Sequence, residues 1–219
     1  MILQEDPFGK CAVEREKKHM NEKLAKKREK LMAQATETVK ATGADIVWSG
    51  MAEYYSPFEG EMKKGTLLRM ILGLGIAVVI DIIYAAMELA SDQPQIKPFL
   101  LILVLVIGAV VAFMPLVDRF EVTRTAAYFL TKDTAIAVVE GSPMAVIPLK
   151  NTPVKSVPSA FGNVNVLFGD AVTAKPRTYA HLGFAPAKGD EGSTDIVSMV
   201  FFNVPKSAAL KEALKEVYV

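Results

Sequence analysis

The chain has 219 residues, a mean hydropathy of +0.28 and a net charge of +1 at neutral pH. So small an imbalance excludes a chain built along its whole length to neutralise nucleic acid, and its single cysteine, Cys11, excludes an internal disulfide and a cysteine-cluster metal site while fitting a reducing compartment. Two apolar stretches of about twenty residues each leave room for one further domain of about a hundred residues and a helical arm.

Residues 1–10, MILQEDPFGK, put acidic residues ahead of the first basic one and hold no apolar core, so they are not expected to act as a secretory signal. The first apolar helix is then expected to direct insertion itself. From about residue 12 to 41 the chain is rich in Lys, Arg, Glu, Ala, Met and Gln, with no Gly or Pro, which predicts one long helix. Val13, Met20, Leu24, Leu31 and Ala35 recur at steps of seven and four and set a thin apolar stripe along it. Lys17, Lys18, Lys23, Lys26, Lys27, Arg28 and Lys30 make its middle strongly basic. Three roles fit: a solvated helix resting on another element through its stripe, a partner or self-association helix, or an arm drawn to anionic lipid. For the last, each basic residue near the surface contributes about 1 kcal/mol. The stripe is too short, and too broken by Lys27, for a coiled coil. Gly43 stands where a left-handed cap is usual, closing a basic helical arm over residues 1–43.

Residues 44–65 cluster Trp48, Tyr54, Tyr55 and Phe58 just ahead of the first apolar stretch. Rings with a polar edge favour the membrane boundary, so this segment is expected to be juxtamembrane, with these four as interfacial anchors.

Residues 66–117 read as two membrane-spanning helices joined by a polar turn. The cleaner half, 99–117 (FLLILVLVIGAVVAFMPLV), carries no charge and is long enough to cross the ~30 Å hydrocarbon core. The other half, 67–87, has only Arg69, which can snorkel, and Asp81. Gly73 with Ala77, and Gly108 with Ala112, give two small-residue faces expected to pack within the hairpin. Lys63, Lys64, Arg69, Arg119 and Arg124 flank the pair, whereas the turn holds Lys97 alone among basic residues. Both termini are therefore expected in the cytoplasm and Asp92 outside it. Asp81 either lies toward the outer interface near Tyr84 or meets a polar group on a partner membrane protein.

Beyond the hairpin, 120–139 alternates aromatic and β-branched residues around a Lys132-Asp133 turn, which predicts a strand pair. Further strands are expected at 145–149, 154–157, 164–168, 179–184 and 196–204. Leu210, Leu214 and Val217 then recur at helical spacing opposite Lys211, Glu212, Lys215 and Glu216.

Asp45-Ile46-Val47-Trp48-Ser49-Gly50, Tyr128-Phe129-Leu130-Thr131-Lys132-Asp133 and the Ile147-Pro148-Leu149 segment resemble the pattern of the bacterial PH-like (pleckstrin-homology-like) membrane proteins, over roughly residues 44–219. The resemblance implies an α+β membrane protein of the bacterial inner membrane. After the hairpin it places, over residues 118–219, a PH-like β-sandwich or open barrel of six or seven strands with a C-terminal helix.

Chemistry is sparse. His19 and His181 are the only histidines and belong to different segments, and His181 is expected in a strand. Gly73-Leu74-Gly75 lies in an apolar helix and is no phosphate loop. Asp190 and Glu191 sit in a loop and read as solvated. No catalytic residue, cofactor, metal, nucleic acid or small-molecule substrate is expected. The preferred function is a non-enzymatic inner-membrane accessory or scaffolding protein that binds a partner or its own copies. Asp81, Tyr84, Gly73 and Ala77 are the candidate partner contacts. The alternative is an anionic-lipid-sensing module using Lys63, Lys64, Arg69, Arg119 and Arg124, with Lys150, Lys155, Lys175 and Arg177. These basic residues are scattered rather than gathered in one loop.

Overall fold

A computed structural model describes residues 7–54, 63–91, 95–190 and 192–217. Tyr55, Phe58, Asp92 and Glu191 lie outside the described residues, as do the side chains of Cys11, Val13, Lys17, Lys18, His19, Met20, Lys63, Lys64, Arg69, Glu216 and Val217.

Helix α1, Pro7–Ala41, ends on Gly43 at φ +78°, the left-handed cap expected there, with the Gly43 N–H donating to the Lys40 carbonyl at 2.9 Å. Leu31 and Ala35 of the expected stripe are buried, and Val39, one turn on, continues it. Ala35 and Val39 pack with Ala127, Phe129 and Ile136 on the outer face of a β-sheet. This half of the helix is thus a charged helix laid on the fold by its thin apolar side. Two polar contacts fix it: Lys27 pairs with Glu140 at 2.6 Å, and Arg28 donates to the Thr123 carbonyl at 3.0 Å. Burial of the Arg28 guanidinium pushes its pKa down, against the opposing pull of Glu53.

The first sheet has the order β1-β2-β3-β4, from β1 (Ile46–Met51), β2 (Ala126–Thr131), β3 (Thr134–Val139) and β4 (Ala145–Pro148), all antiparallel. Strand β1 precedes the apolar helices and β2 follows them, with Trp48 opposite Leu130 and Met51 opposite Ala127. The helices are thus inserted into the sheet. This corrects the division at residue 118: residues 46–51 belong to the β-domain rather than to a juxtamembrane segment. Trp48 is corrected with it. It is 8% exposed and stacks on Phe201 at 5.9 Å in the core, so it is no interfacial anchor. Every residue of β2 is buried because α1 covers one face and the second sheet the other.

Helix α2 (Lys63–Leu89) and helix α3 (Pro98–Thr125) lie side by side. The expected small-residue faces meet: a Cβ on Gly73 would lie 3.1 Å from the Ala112 Cβ, and one on Gly108 would lie 2.5 Å from the Ala77 Cβ. Met70–Leu89 of α2, with a mean hydropathy of 2.3, is long and apolar enough to cross a membrane. The half expected to be cleaner differs, because α3 bends by 48° between Pro98–Met114 and Leu116–Thr125 and passes that test only as a bent pair. The break between the two segments falls at residue 115, a proline in the sequence. Helix α3 also continues through residues 120–125, which were expected to be strand, and enters β2 with no linker.

The second sheet has the order β5-β6-β8-β7, from β5 (Val154–Pro158), β6 (Val164–Gly169), β7 (Ala187–Lys188) and β8 (Ile196–Val204). The fold is therefore α+β with two antiparallel four-stranded sheets. Residues 179–184, expected to be strand, form helix α4 (Tyr179–Phe184). Tyr179, Ala180 and Gly183 are its buried side, a spacing of one turn rather than an alternation. Gly183 is required by proximity, because a Cβ there would lie 2.7 Å from Val122 Cγ2 and 2.8 Å from the Tyr128 hydroxyl oxygen. Helix α5 (Ala208–Val217) buries Leu210, Ala213 and Leu214, with the Leu210 N–H held by the Ser207 hydroxyl at 3.0 Å.

Tyr128, Phe168 and Phe201 form the centre of the core, with Phe201 ring centroids 4.7 Å from each of the other two. The buried Tyr128 hydroxyl donates to the Gly183 carbonyl at 3.0 Å, and burial pushes its phenol pKa up.

Candidate functional site

Helix α4 packs against the lower part of α3, and this joint opens a cleft of about 790 Å³ between the apolar helices and the β-domain. Leu68, Leu72 and Ile76 of α2 and Val111 and Met114 of α3 form its apolar walls. Its far end is polar, built from Asp118 of α3, Arg177 and Thr178 of the 3-10 turn Pro176–Thr178, and His181 of α4. His181 Nδ1 lies 3.6 Å from Asp118 Oδ1, so the most buried charge at that end faces the imidazole. The Thr178 hydroxyl donates to the Lys175 carbonyl at 2.8 Å, which leaves its oxygen able to accept. Arg177 is exposed on the rim. One guanidinium, an imidazole and a hydroxyl thus stand at the end of an open apolar cleft, beside a single carboxylate.

Of the expected site residues, Gly73 and Arg177 line this cleft and the other described ones fall elsewhere. Gly73 and Ala77 face α3 inside the helix pair. The Tyr84 hydroxyl accepts from the Lys97 backbone N–H at 3.2 Å, tying α2 to the start of α3. Asp81 is half-buried on α2. Tyr54 is exposed and meets Phe120 edge-on at 6.0 Å. The same Phe120 ring carries the Arg124 guanidinium 3.6 Å from its centroid. Arg119 is half-buried.

Sequence reasoning missed the joint itself. The sequence pattern marks nothing at Asp118 and predicts a strand at His181, so their pairing across α3 and α4 is not readable from it. It also missed Glu53 and Asn203, which hold the chain where it leaves β1 for the helices. The Glu53 N–H donates to the Asn203 carbonyl at 3.0 Å, and Asn203 Nδ2 donates to the Glu53 carbonyl at 2.7 Å. Asn203 adopts φ +44° at an irregularity in the β6–β8 pairing, where the Asn165 side chain accepts its N–H at 2.8 Å. An asparagine in a strand pattern was the available signal.

Among the described residues no group of three or more His, Cys, Asp or Glu is placed to hold a metal ion. Comparison with known proteins finds no matching family, no similar curated protein and no similar solved structure.

Proposed function

We propose that the chain is a non-enzymatic accessory or scaffolding protein of a bacterial inner membrane, whose β-domain is PH-like and works by binding a partner protein or its own copies. In this reading α2 and α3 cross the bilayer as a hairpin. The basic flanks then hold α1 and the β-domain in the cytoplasm.

One observation carries the reading: an apolar helix pair with large exposed side chains is inserted between two neighbouring strands of a sheet. Ile71 and Met87 are 64% and 71% exposed, amid many other exposed aliphatic residues on both helices. Water-soluble monomers rarely leave so large an apolar surface uncovered. Because α3 runs into β2 without a linker, and Glu53 is held on β8, the β-domain is held at the base of the hairpin. A surface presented rigidly at the bilayer suits a scaffold.

Gentle extraction of the tagged chain from its native membrane tests this. The expected result is a second protein, or further copies of the chain, retained in fixed proportion, and lost with Asp81→Leu if α2 makes the contact. A chain that emerges alone and monomeric contradicts the scaffold reading.

A further inference from the structure

We infer that the cleft between the hairpin and α4 is a binding site for one anionic glycerophospholipid, its phosphodiester held at Arg177 and His181 and one acyl chain lying along α2 and α3. The inference rests on the hairpin crossing the bilayer but is independent of any protein partner.

The shape of the cleft is the first reason. Its apolar wall on α2 runs from Leu68 to Ile76, eight residues or about 12 Å of helix. One leaflet of hydrocarbon is about 15 Å deep, half the ~30 Å core, so the wall matches most of an acyl chain. The wall also starts near the Lys63 end of α2, on the side where the β-domain lies. An occupant with a long apolar tail and a polar head therefore enters from the bilayer, head toward the domain.

The chemistry at the polar end is the second. Asp118 is turned to His181, 3.6 Å away, while Arg177 stands exposed at the rim. A guanidinium offers paired N–H donors that fit two phosphate oxygens, and the imidazole in its protonated form adds a third through Nε2 while Nδ1 faces Asp118. A headgroup carrying its own ammonium gains less, because Arg177 attracts its phosphate but repels the ammonium, so a lipid with net negative charge is favoured. Lys150, Lys155 and Lys175, also exposed, do not line the cleft.

The full chain in mild detergent, mixed with equal amounts of phosphatidylglycerol and phosphatidylcholine and read by native mass spectrometry, tests the site. The expected result is one phosphatidylglycerol retained per chain in preference to phosphatidylcholine. Arg177→Gln is expected to weaken that retention about fivefold, the effect of roughly 1 kcal/mol per basic residue at a lipid surface. Val111→Trp, which fills the exposed cleft from its side, is expected to abolish it, and Lys175→Gln to leave it unchanged. Equal losses from Arg177→Gln and Lys175→Gln would mean diffuse attraction and overturn the inference. So would equal retention of the two lipids, or displacement by glycerol phosphate, which has the head and no tail. Selective lipid retention by a chain that extracts without partners would sink the scaffold reading and leave the lipid site standing.

Discussion

Ile71 on α2 and Ile136 on β3 are the same residue in opposite settings, the first 64% exposed and the second 2%. The difference extends to the packing rule of each region. In the β-domain the large rings of Trp48, Tyr128, Phe168 and Phe201 turn inward and meet one another. In the helix pair the inward contacts are made by Gly73, Ala77, Gly108 and Ala112, while leucine, isoleucine and valine turn outward. One region is held by side-chain burial and the other by close backbone approach, the packing that suits helices in an apolar surrounding. The two meet at strand pair β1–β2, so the stability of the β-domain depends on residues from both sides of the hairpin.

The sharpest way to break this comparison is to cut it. The fragment 120–219 lacks β1 and Trp48, and is expected to show no cooperative unfolding by circular dichroism. Adding residues 44–53 back through a short turn is expected to restore it, since Met51 already lies opposite Ala127. A fragment 120–219 that folds alone would show that the inserted topology is dispensable. Within the whole chain, Trp48→Ala is expected to destabilise the β-domain by about 3–5 kcal/mol, as large aromatic truncations in cores do. An interfacial anchor would cost far less, so chemical denaturation in detergent separates the two placements.

A smaller effect follows from Tyr128. Its folded pKa is raised above the ordinary 10.0, so the phenol stays neutral in the fold while the unfolded chain ionises. Stability from this group is complete below pH 10 and falls as the pH climbs above it, by about 1.4 kcal/mol at pH 11. Tyr128→Phe is expected to remove that alkaline slope, and a slope that persists would place its origin elsewhere. The smallest effect belongs to Lys27→Ala at the half-exposed pair with Glu140, less than about 1 kcal/mol, because such pairs remain solvated.

Much of the architecture was legible in the sequence because local signals decided it. The α1 cap at Gly43, the Lys132-Asp133 turn, the small-residue helix faces and the Leu210–Leu214 stripe each depend on residues close in the chain. What failed depended on distant partners. Trp48 has the composition of an interfacial anchor, and only pairing with β2 across the helices puts it in the core. Residues 120–125 alternate like a strand, yet they extend α3 because Val122 packs beneath α4 at Gly183. Residues 179–184 carry strand-forming types but bury one helical side. The cleft was the least legible feature, since Asp118 lies about sixty residues before Arg177 and His181 in sequence and meets them only where α4 docks on α3.

The central claim is that α2 and α3 cross a membrane and return the chain to the side on which β1 began. In a Cys11→Ser background, single cysteines at Ser91, beside the turn, and at Lys150, on the β-domain, can be labelled with a membrane-impermeant maleimide in intact cells and in inverted vesicles. Labelling of residue 91 only from outside and of residue 150 only from the cytoplasmic face is the predicted result. Labelling of both residues from the same face would contradict it.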